Sequence, residues 1–282
     1  MGEFVHVYND GGGIRDVPIL QGAGAVLGGK DRNPVNSSGP RSIAVIGTPF
    51  AILPGDGAAV GMFFTGTAGA FTLSAAIMTS AWNVLKGCWC YLPANFGGKT
   101  YPAGWYWAVF SSDTAGILYN NTYSSGVPAR PTTLTPFADN LAGWLTQTTA
   151  EVTGPTGFSY RGGSMGPSGS LKSYLRLLGN TTATKTFREY IGSTVIGQSS
   201  PTTTPCFEQI VSCRNQGVET LQTNSRAAGP TGVGVAGSNI SGIEYTSVDT
   251  SADQNLSISL QLSANTACAI LLHADVSVTY GA

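Results

Sequence analysis

Few residues in this chain can move protons or hold metals, and their spacing suits neither task. Two histidines, His6 and His273, occur in 282 residues. A Ser-His-Asp nucleophile needs a histidine to accept the serine proton. His6 sits in FVHVY near the start of the chain. His273 is two residues from Asp275 in LLHADVSV, so the pair shares one strand face. No Gly-x-Ser-x-Gly type of nucleophile elbow is read as accompanying the pair, and His273 reads as an ordinary polar-face or interface residue. Cys268 lies five positions before His273 and points to the opposite face, which argues against Cys-His chemistry. Glycan hydrolysis needs two carboxylates about 5–9 Å apart. The acidic residues are instead scattered in turns, as at Asp56, Asp113, Asp139, Asp249 and Asp253. SVDTSAD brings Asp249 and Asp253 into one loop, which is compatible with calcium without being specific for it. No glycine-rich phosphate loop precedes a helix pattern. The expectation is no catalytic residue, no metal site and no cofactor.

The aromatic run Trp105-Tyr106-Trp107 carries the other candidate chemistry. In a strand, Trp105 and Trp107 share one face and Tyr106 takes the other. Buried, the three are core; exposed, they would stack on sugar rings or anchor a subunit contact. They are the candidate interface or glycan-contact residues. The loops at 94–104, 124–136 and 222–242 would frame a sugar site.

The elements that must position these residues read as strands. Gly, Ser and Thr number 96 of 282, and only 10% of residues are charged, against roughly 25% in an ordinary domain. That composition excludes coiled coils and helical bundles and favours many short strands and turns. AVGMFFTG, AFTLSAAIMTS, WNVLKGCWCYLP (stopped by Pro93), GWYWAVFSS and ILYNNTY follow one another between Gly/Ser/Pro turns, the pattern of a sandwich or barrel. TPFADNLAGWLTQTT is the one plausible helix. Residues 150–170 read as a turn-rich loop, LKSYLRLLGN as a strand with Leu171, Ser173, Leu175 and Leu177 on one face, then TKTFREYIG, STVIGQ and CFEQIVSCRN. In NLSISLQLS, Leu256, Ile258, Leu260 and Leu262 alternate with polar residues. In ACAILLHADVSVTY, Ile270, Leu272, Ala274, Val276 and Val278 share one face and His273, Asp275, Ser277 and Thr279 the other. SANTA joins these two strands as a predicted hairpin. The fold class expected is all-β, with β-sandwich (jelly-roll-like) domain or domains and an extended N-terminal arm. The expected division is an anchoring arm over 1–58, a β-rich domain or first sandwich half over 59–150, and a C-terminal β-sandwich over 151–282.

Residues 1–58 are crowded with Gly, Pro and Asn, and VPIL and AVL look too brief for regular elements; RSIAVIG is the first good strand. Val17, Ile19, Leu20, Val26 and Leu27 are too apolar for a solvated linker, so they are the candidate anchoring residues of an arm that orders on a partner. Net charge is −1, which offers nothing to neutralise a phosphate backbone, so nucleic-acid binding is not expected. The start MGEFVHVYND lacks a basic segment followed by an apolar run, so no signal peptide is predicted. No stretch of about 18 apolar residues predicts a membrane span. Net charge near zero promotes association, which suits a protein built to sit in an assembly. Cys88 and Cys90 share a face, while Cys206 and Cys213 would stand about 23 Å apart in an extended strand, beyond disulfide reach. Buried, reduced thiols are expected.

The segment AGWYWAVFSSDTAGILYNNTYSSGVP, residues 103–128, resembles structural proteins of tailed bacteriophages and prophages, in which a Gly-Trp-Tyr strand leads through a Ser/Thr turn to a Tyr-Asn-Asn-Thr-Tyr strand. TKTFREYIGSTVIGQSS, EYTSVDTSADQNLSISLQLS and MGPSGS before LKSYLRLL are similar to the same group, so the likeness covers roughly 60–282. The resemblance implies a non-enzymatic β-sandwich virion protein, assembled in the bacterial host cytoplasm and usually trimeric. A tail-associated fibre or receptor-binding protein is the expected role, with capsid decoration, head fibre or a glycan-binding module as alternatives. The partners implied are sister copies, other virion proteins through residues 1–58, and host surface glycan.

Overall fold

The computed structural model describes residues 4–8, 14–18, 41–55, 61–75, 87–181, 183–202, 206–225 and 243–281. Among them are twenty strands and no helix, so the chain is all-β. In chain order these are β1 (Phe4–Tyr8), β2 (Ile14–Pro18), β3 (Arg41–Ile46), β4 (Phe50–Ile52), β5 (Met62–Thr65), β6 (Ala70–Leu73), β7 (Cys88–Leu92), β8 (Gly104–Ser112), β9 (Ala115–Thr122) and β10 (Ala142–Trp144). Then come β11 (Val152–Thr153), β12 (Phe158–Tyr160), β13 (Ser170–Gly179), β14 (Lys185–Ile191), β15 (Thr194–Ser199), β16 (Cys206–Asn215), β17 (Gln222–Ser225), β18 (Ile243–Thr246), β19 (Gln254–Leu262) and β20 (Ala269–Thr279). One thirteen-stranded sheet runs β10-β5-β6-β9-β8-β7-β4-β20-β13-β16-β17-β18, with β3 also on β20. A five-stranded sheet is built from β11, β19, β14 and β15, with β12 on β19.

Alternating residues build the core between the two sheets. Leu171, Ser173, Leu175 and Leu177 point inward from β13, and Leu256, Ile258, Leu260 and Leu262 face them from β19. A second core fills the concave side of the curled first half of the large sheet, around Phe64, Phe71, Tyr106, Phe110 and Leu141. Curling brings the ends of that half together: Met62 N–H donates to the Pro54 carbonyl at 3.0 Å, and Gln147 Nε2 donates to the Leu53 carbonyl at 3.0 Å. The two halves foreseen at 59–150 and 151–282 therefore share one continuous sheet, and each contributes to the core between the sheets. β4 joins them, pairing parallel with β7 and antiparallel with β20.

Four expectations change. First, the start of the chain is more regular than its composition suggests. β1 and β2 pair in register from Phe4↔Pro18 to Tyr8↔Ile14, and Val17 lies in β2. Ile19, Leu20, Val26 and Leu27 lie outside the described residues. β3 and β4, both inside the range 1–58, pair with β20 and belong to the large sheet.

Second, TPFADNLAGWLTQTT is not a helix. Phe137, Leu141 and Leu145 are buried at helical spacing, yet Gly143 has φ +96°, far from the −63° of a helix. The backbone pairs instead with its neighbours: β10 bonds β5, and Ala142 N–H donates to the Gly97 carbonyl at 3.0 Å. The sheet edge outbids a weak local preference.

Third, SANTA is not a hairpin. β19 lies in the five-stranded sheet and β20 in the large one, so residues 263–267 cross between the layers. The two strands have met face to face across the inter-sheet core rather than edge to edge. Asn180 staples the crossing: its Nδ2 donates to the Thr266 carbonyl at 2.8 Å, and its Oδ1 accepts from Cys268 N–H at 3.0 Å.

Fourth, a bulge breaks the alternation of β20. Arg176 opposes His273, but Leu177 opposes Leu271, so Leu272 is extra. An inserted residue reverses which face follows. Ala274, Val276 and Val278 face the inter-sheet core with Ala269 and Leu271, while Cys268, Ile270 and Leu272 face the second core. One strand thus serves two cores.

Candidate interaction surface

Trp105, Tyr106 and Trp107 alternate as expected, and the structure removes them from the surface. They are 7%, 1% and 1% exposed. Trp105 and Trp107 enter the inter-sheet core and Tyr106 enters the second one. Trp105 packs edge-on to Phe50 and Tyr91, both at 5.4 Å, and its Nε1 donates to the Thr153 carbonyl at 2.9 Å. Trp107 meets Trp89 edge-on at 5.2 Å. A strand covered on both sides leaves no ring for a sugar or a sister subunit, so the three residues are corrected from contact candidates to core.

Two aromatics stand well exposed among the described residues, Tyr245 on β18 and Trp144 on β10, and Trp144 is the one with an aromatic neighbour on its face. It is 47% exposed and lies on β10 directly opposite Phe63 of β5, ring to ring at 5.0 Å. The registers carry this face onward: Phe63 opposes Thr72, Thr65 opposes Ala142, and Ala70 opposes Ile117. Ile117 is 41% exposed. It opposes Val109, which, like Tyr119, packs against the edge of the inter-sheet core. The strip thus begins where the five-stranded sheet stops covering the large one and continues across β9, β6, β5 and β10. None of Trp144, Phe63, Thr65, Thr72, Ala70 and Ile117 carries a charge. MFFT signals this by alternation, since Phe64 is buried and Phe63 must then face out; Trp144 was hidden by the helical reading.

The polar candidates resolve into structural roles. His273 and Asp275 lie on the outer face of β20, opposite Arg176 and Tyr174 of β13; the His6 side chain lies outside the described residues. A Gly-x-Ser-x-Gly spacing does occur at residues 162–166 and escapes the sequence reading. Ser164 there is buried in a turn and its hydroxyl donates to the Arg161 carbonyl at 2.6 Å, not to a base. Asp249 Oδ1 accepts from Ser251 N–H at 2.9 Å, and Asp253 Oδ1 accepts from Gly162 N–H at 2.8 Å, so both carboxylates of the SVDTSAD loop brace backbone. Asp139 accepts from the Tyr101 hydroxyl at 2.9 Å. Among the described residues no group of three His, Cys, Asp or Glu side chains is placed to hold a metal.

Glu151 is the centre of a network on the five-stranded sheet. It pairs with Arg188 Nη1 at 2.7 Å and accepts from Tyr190 at 2.6 Å and from Ser259. Burial pushes its carboxyl up, but the hydrogen bonds from Ser259 and Tyr190 and the Arg188 charge outweigh it and leave the group below its usual range. The cysteines are free thiols. Cys88 and Cys90 share a face with their sulfurs 3.4 Å apart, and burial pushes the Cys90 thiol well up. Cys213 is pushed up to about 12, first by burial and then by Glu189.

Sequence reasoning missed Glu189, among the described residues the one carboxylate aimed into the inter-sheet core. Phe187, Glu189 and Ile191 occupy successive inward positions of β14, all buried. The signal is present in TFREYI, where an acid stands at an apolar period. Its Oε1 accepts from Ser173 of β13, and its Oε2 has no partner. Burial pushes its carboxyl up to about 7, against a smaller opposing pull from the Ser173 hydroxyl.

No family model matches the chain, and neither the curated proteins nor the solved structures provide a match.

Proposed function

We propose that this chain is a structural subunit of an assembled particle whose sister copies cover the uncharged strip of β10, β5, β6 and β9. Following the resemblance of residues 103–128, the particle is the virion of a tailed bacteriophage. The subunit is then a homotrimeric, non-enzymatic fibre or receptor-binding protein of the tail, anchored through the segment ahead of β3. The observation that carries this reading is the strip itself. It is continuous with a core, rich in Trp, Phe, Ile, Thr and Ala, and without charge. Covering such a face removes apolar area from water without desolvating ions. Aromatic residues at its centre are of the type that dominates interface energies.

Placing a carboxylate on two exposed positions tests it. The double variant Ile117→Asp/Trp144→Asp is expected to shift the assembled protein to monomer in light scattering. Its denaturation midpoint as a monomer stays close to that of the wild-type fold, because neither side chain is part of a core. An unchanged oligomer in the double variant removes the strip from the interface. Trp144 also favours the glycan-binding reading, since its ring stands where a sugar could stack. Calorimetric titration with host surface polysaccharide tests that reading, with heat expected from the wild type and none from Trp144→Asp.

A further inference from the structure

Glu189 crosses the interior of the sandwich from β14 to β13, where Ser173 meets it. Around it the inward face of β16 supplies Gln209, Val211 and Cys213, all buried. β15 supplies Gly197, directly opposite Glu189, and buried Ser199, whose hydroxyl donates to Gln209 Oε1 at 2.6 Å. β19 supplies Ile258, opposite Glu189 on the other side. Two atoms in this layer have no hydrogen-bond partner, Glu189 Oε2 and Gln209 Nε2. The titratable groups facing Glu189 are the Cys213 thiol and, four residues back on its own strand, Lys185. That ammonium is held by the carbonyls of Asn180 at 2.5 Å and Thr202 at 2.6 Å. No arginine or histidine faces it from β13, β15, β16 or β19; Arg188 and Arg176 belong to the outer faces, paired with Glu151 and Glu208.

We propose that Glu189 is a proton-dependent latch between the two sheets, shut while the carboxyl carries a proton and locally open when it ionises. A neutral acid, with Oε1 accepting from Ser173, leaves Oε2 as an orphan hydroxyl, a modest cost in a core. An ionised carboxylate in the same place leaves half its charge without a donor, which is far costlier. Local opening that admits water between β14 and β16 relieves that cost, and sub-global openings of this kind are ordinary in folded proteins. The step breaks the carboxyl O–H bond, the electron pair stays on the carboxylate and the proton passes to solvent water.

Cys213 is a built-in reporter, buried in the same layer, and Cys206 on the same strand is exposed. Alkylation of the full chain with iodoacetamide, read by mass spectrometry as the Cys213-to-Cys206 labelling ratio, cancels the common rise in thiolate with pH. The ratio is expected to rise at least tenfold between pH 5.5 and pH 8.5 in the wild type and to stay flat in Glu189→Gln. Ser173→Ala provides a second test. The Ser173 hydroxyl supports the ionised form, so its loss is expected to move the midpoint of the rise to higher pH, a displacement that packing alone would not cause. A flat wild-type ratio, an equal rise in Glu189→Gln or an unmoved midpoint in Ser173→Ala overturns the latch.

Discussion

Glu189→Gln is expected to stabilise the fold by up to about 3 kcal/mol at pH 8.5 and to leave it nearly unchanged at pH 4. The sign follows from proton linkage. Burial raises the carboxyl from 4.5 to about 7 in the folded chain, so between those values the folded state binds more protons than the unfolded one. Stability from this group is therefore fully present below pH 4.5 and lost as pH climbs through about 7. Each unit of displacement corresponds to about 1.4 kcal/mol, so about 3 kcal/mol is the ceiling, reached while the carboxylate stays buried and lowered by any local opening between β14 and β16. Glutamine keeps the shape and an acceptor for Ser173 while removing the charge. Urea denaturation at the two pH values measures the difference. Glu151 acts in the opposite sense. Its carboxyl is held low, so its contribution is present above 4.5 and fades as pH falls below that. Equal gains for Glu189→Gln at both pH values would show that charge is not the cause.

Trp107→Ala is expected to cost about 4 kcal/mol, within the range for large aromatic truncations in cores. Trp107 is packed against Trp89 on one side. On another it meets Gly87, where an added Cβ would stand 2.3 Å from its ring. The closeness of that backbone leaves little room for collapse into the space vacated. The indole N–H has no partner, so no hydrogen bond is lost and the effect is one of packing. Trp144→Ala, on the strip that lies open in the single chain, is expected to cost the monomeric fold under about 1 kcal/mol. Similar losses at both positions would contradict the assignment of Trp107 to the interior and Trp144 to the surface.

Composition and period-2 patterning carried most of the fold. NLSISLQLS is legible as a strand from its period-2 alternation, GWYWAVFSS and LKSYLRLL from their length, composition and bounding turns, and Pro93 ends β7 where a missing N–H requires it. What escaped was non-local. SANTA has the length of a hairpin turn, and nothing within five residues distinguishes edge-to-edge pairing from stacking across a core. The Leu272 bulge is set by the need of β20 to serve two cores, which no single strand announces. Phe137, Leu141 and Leu145 mimic a helix because they answer to a curved sheet around them. The same holds for the sites. Trp105, Tyr106 and Trp107 drew attention by being aromatic and adjacent, but a run with rings on both faces belongs to a strand buried on both faces. Trp144 and Phe63 are far apart in sequence and become one surface only through the β5–β10 pairing. Glu189 was visible in TFREYI as an acid at an inward position.

The proposal that this protein works as a subunit among sister copies meets its most direct test in the mass of the purified full chain in solution. Light scattering across a hundredfold concentration range is expected to give a stable trimer, three times the chain mass of 29.1 kDa. A mass of 29.1 kDa at every concentration would contradict it, leaving the uncharged strip of β10, β5, β6 and β9 open to water in the working molecule.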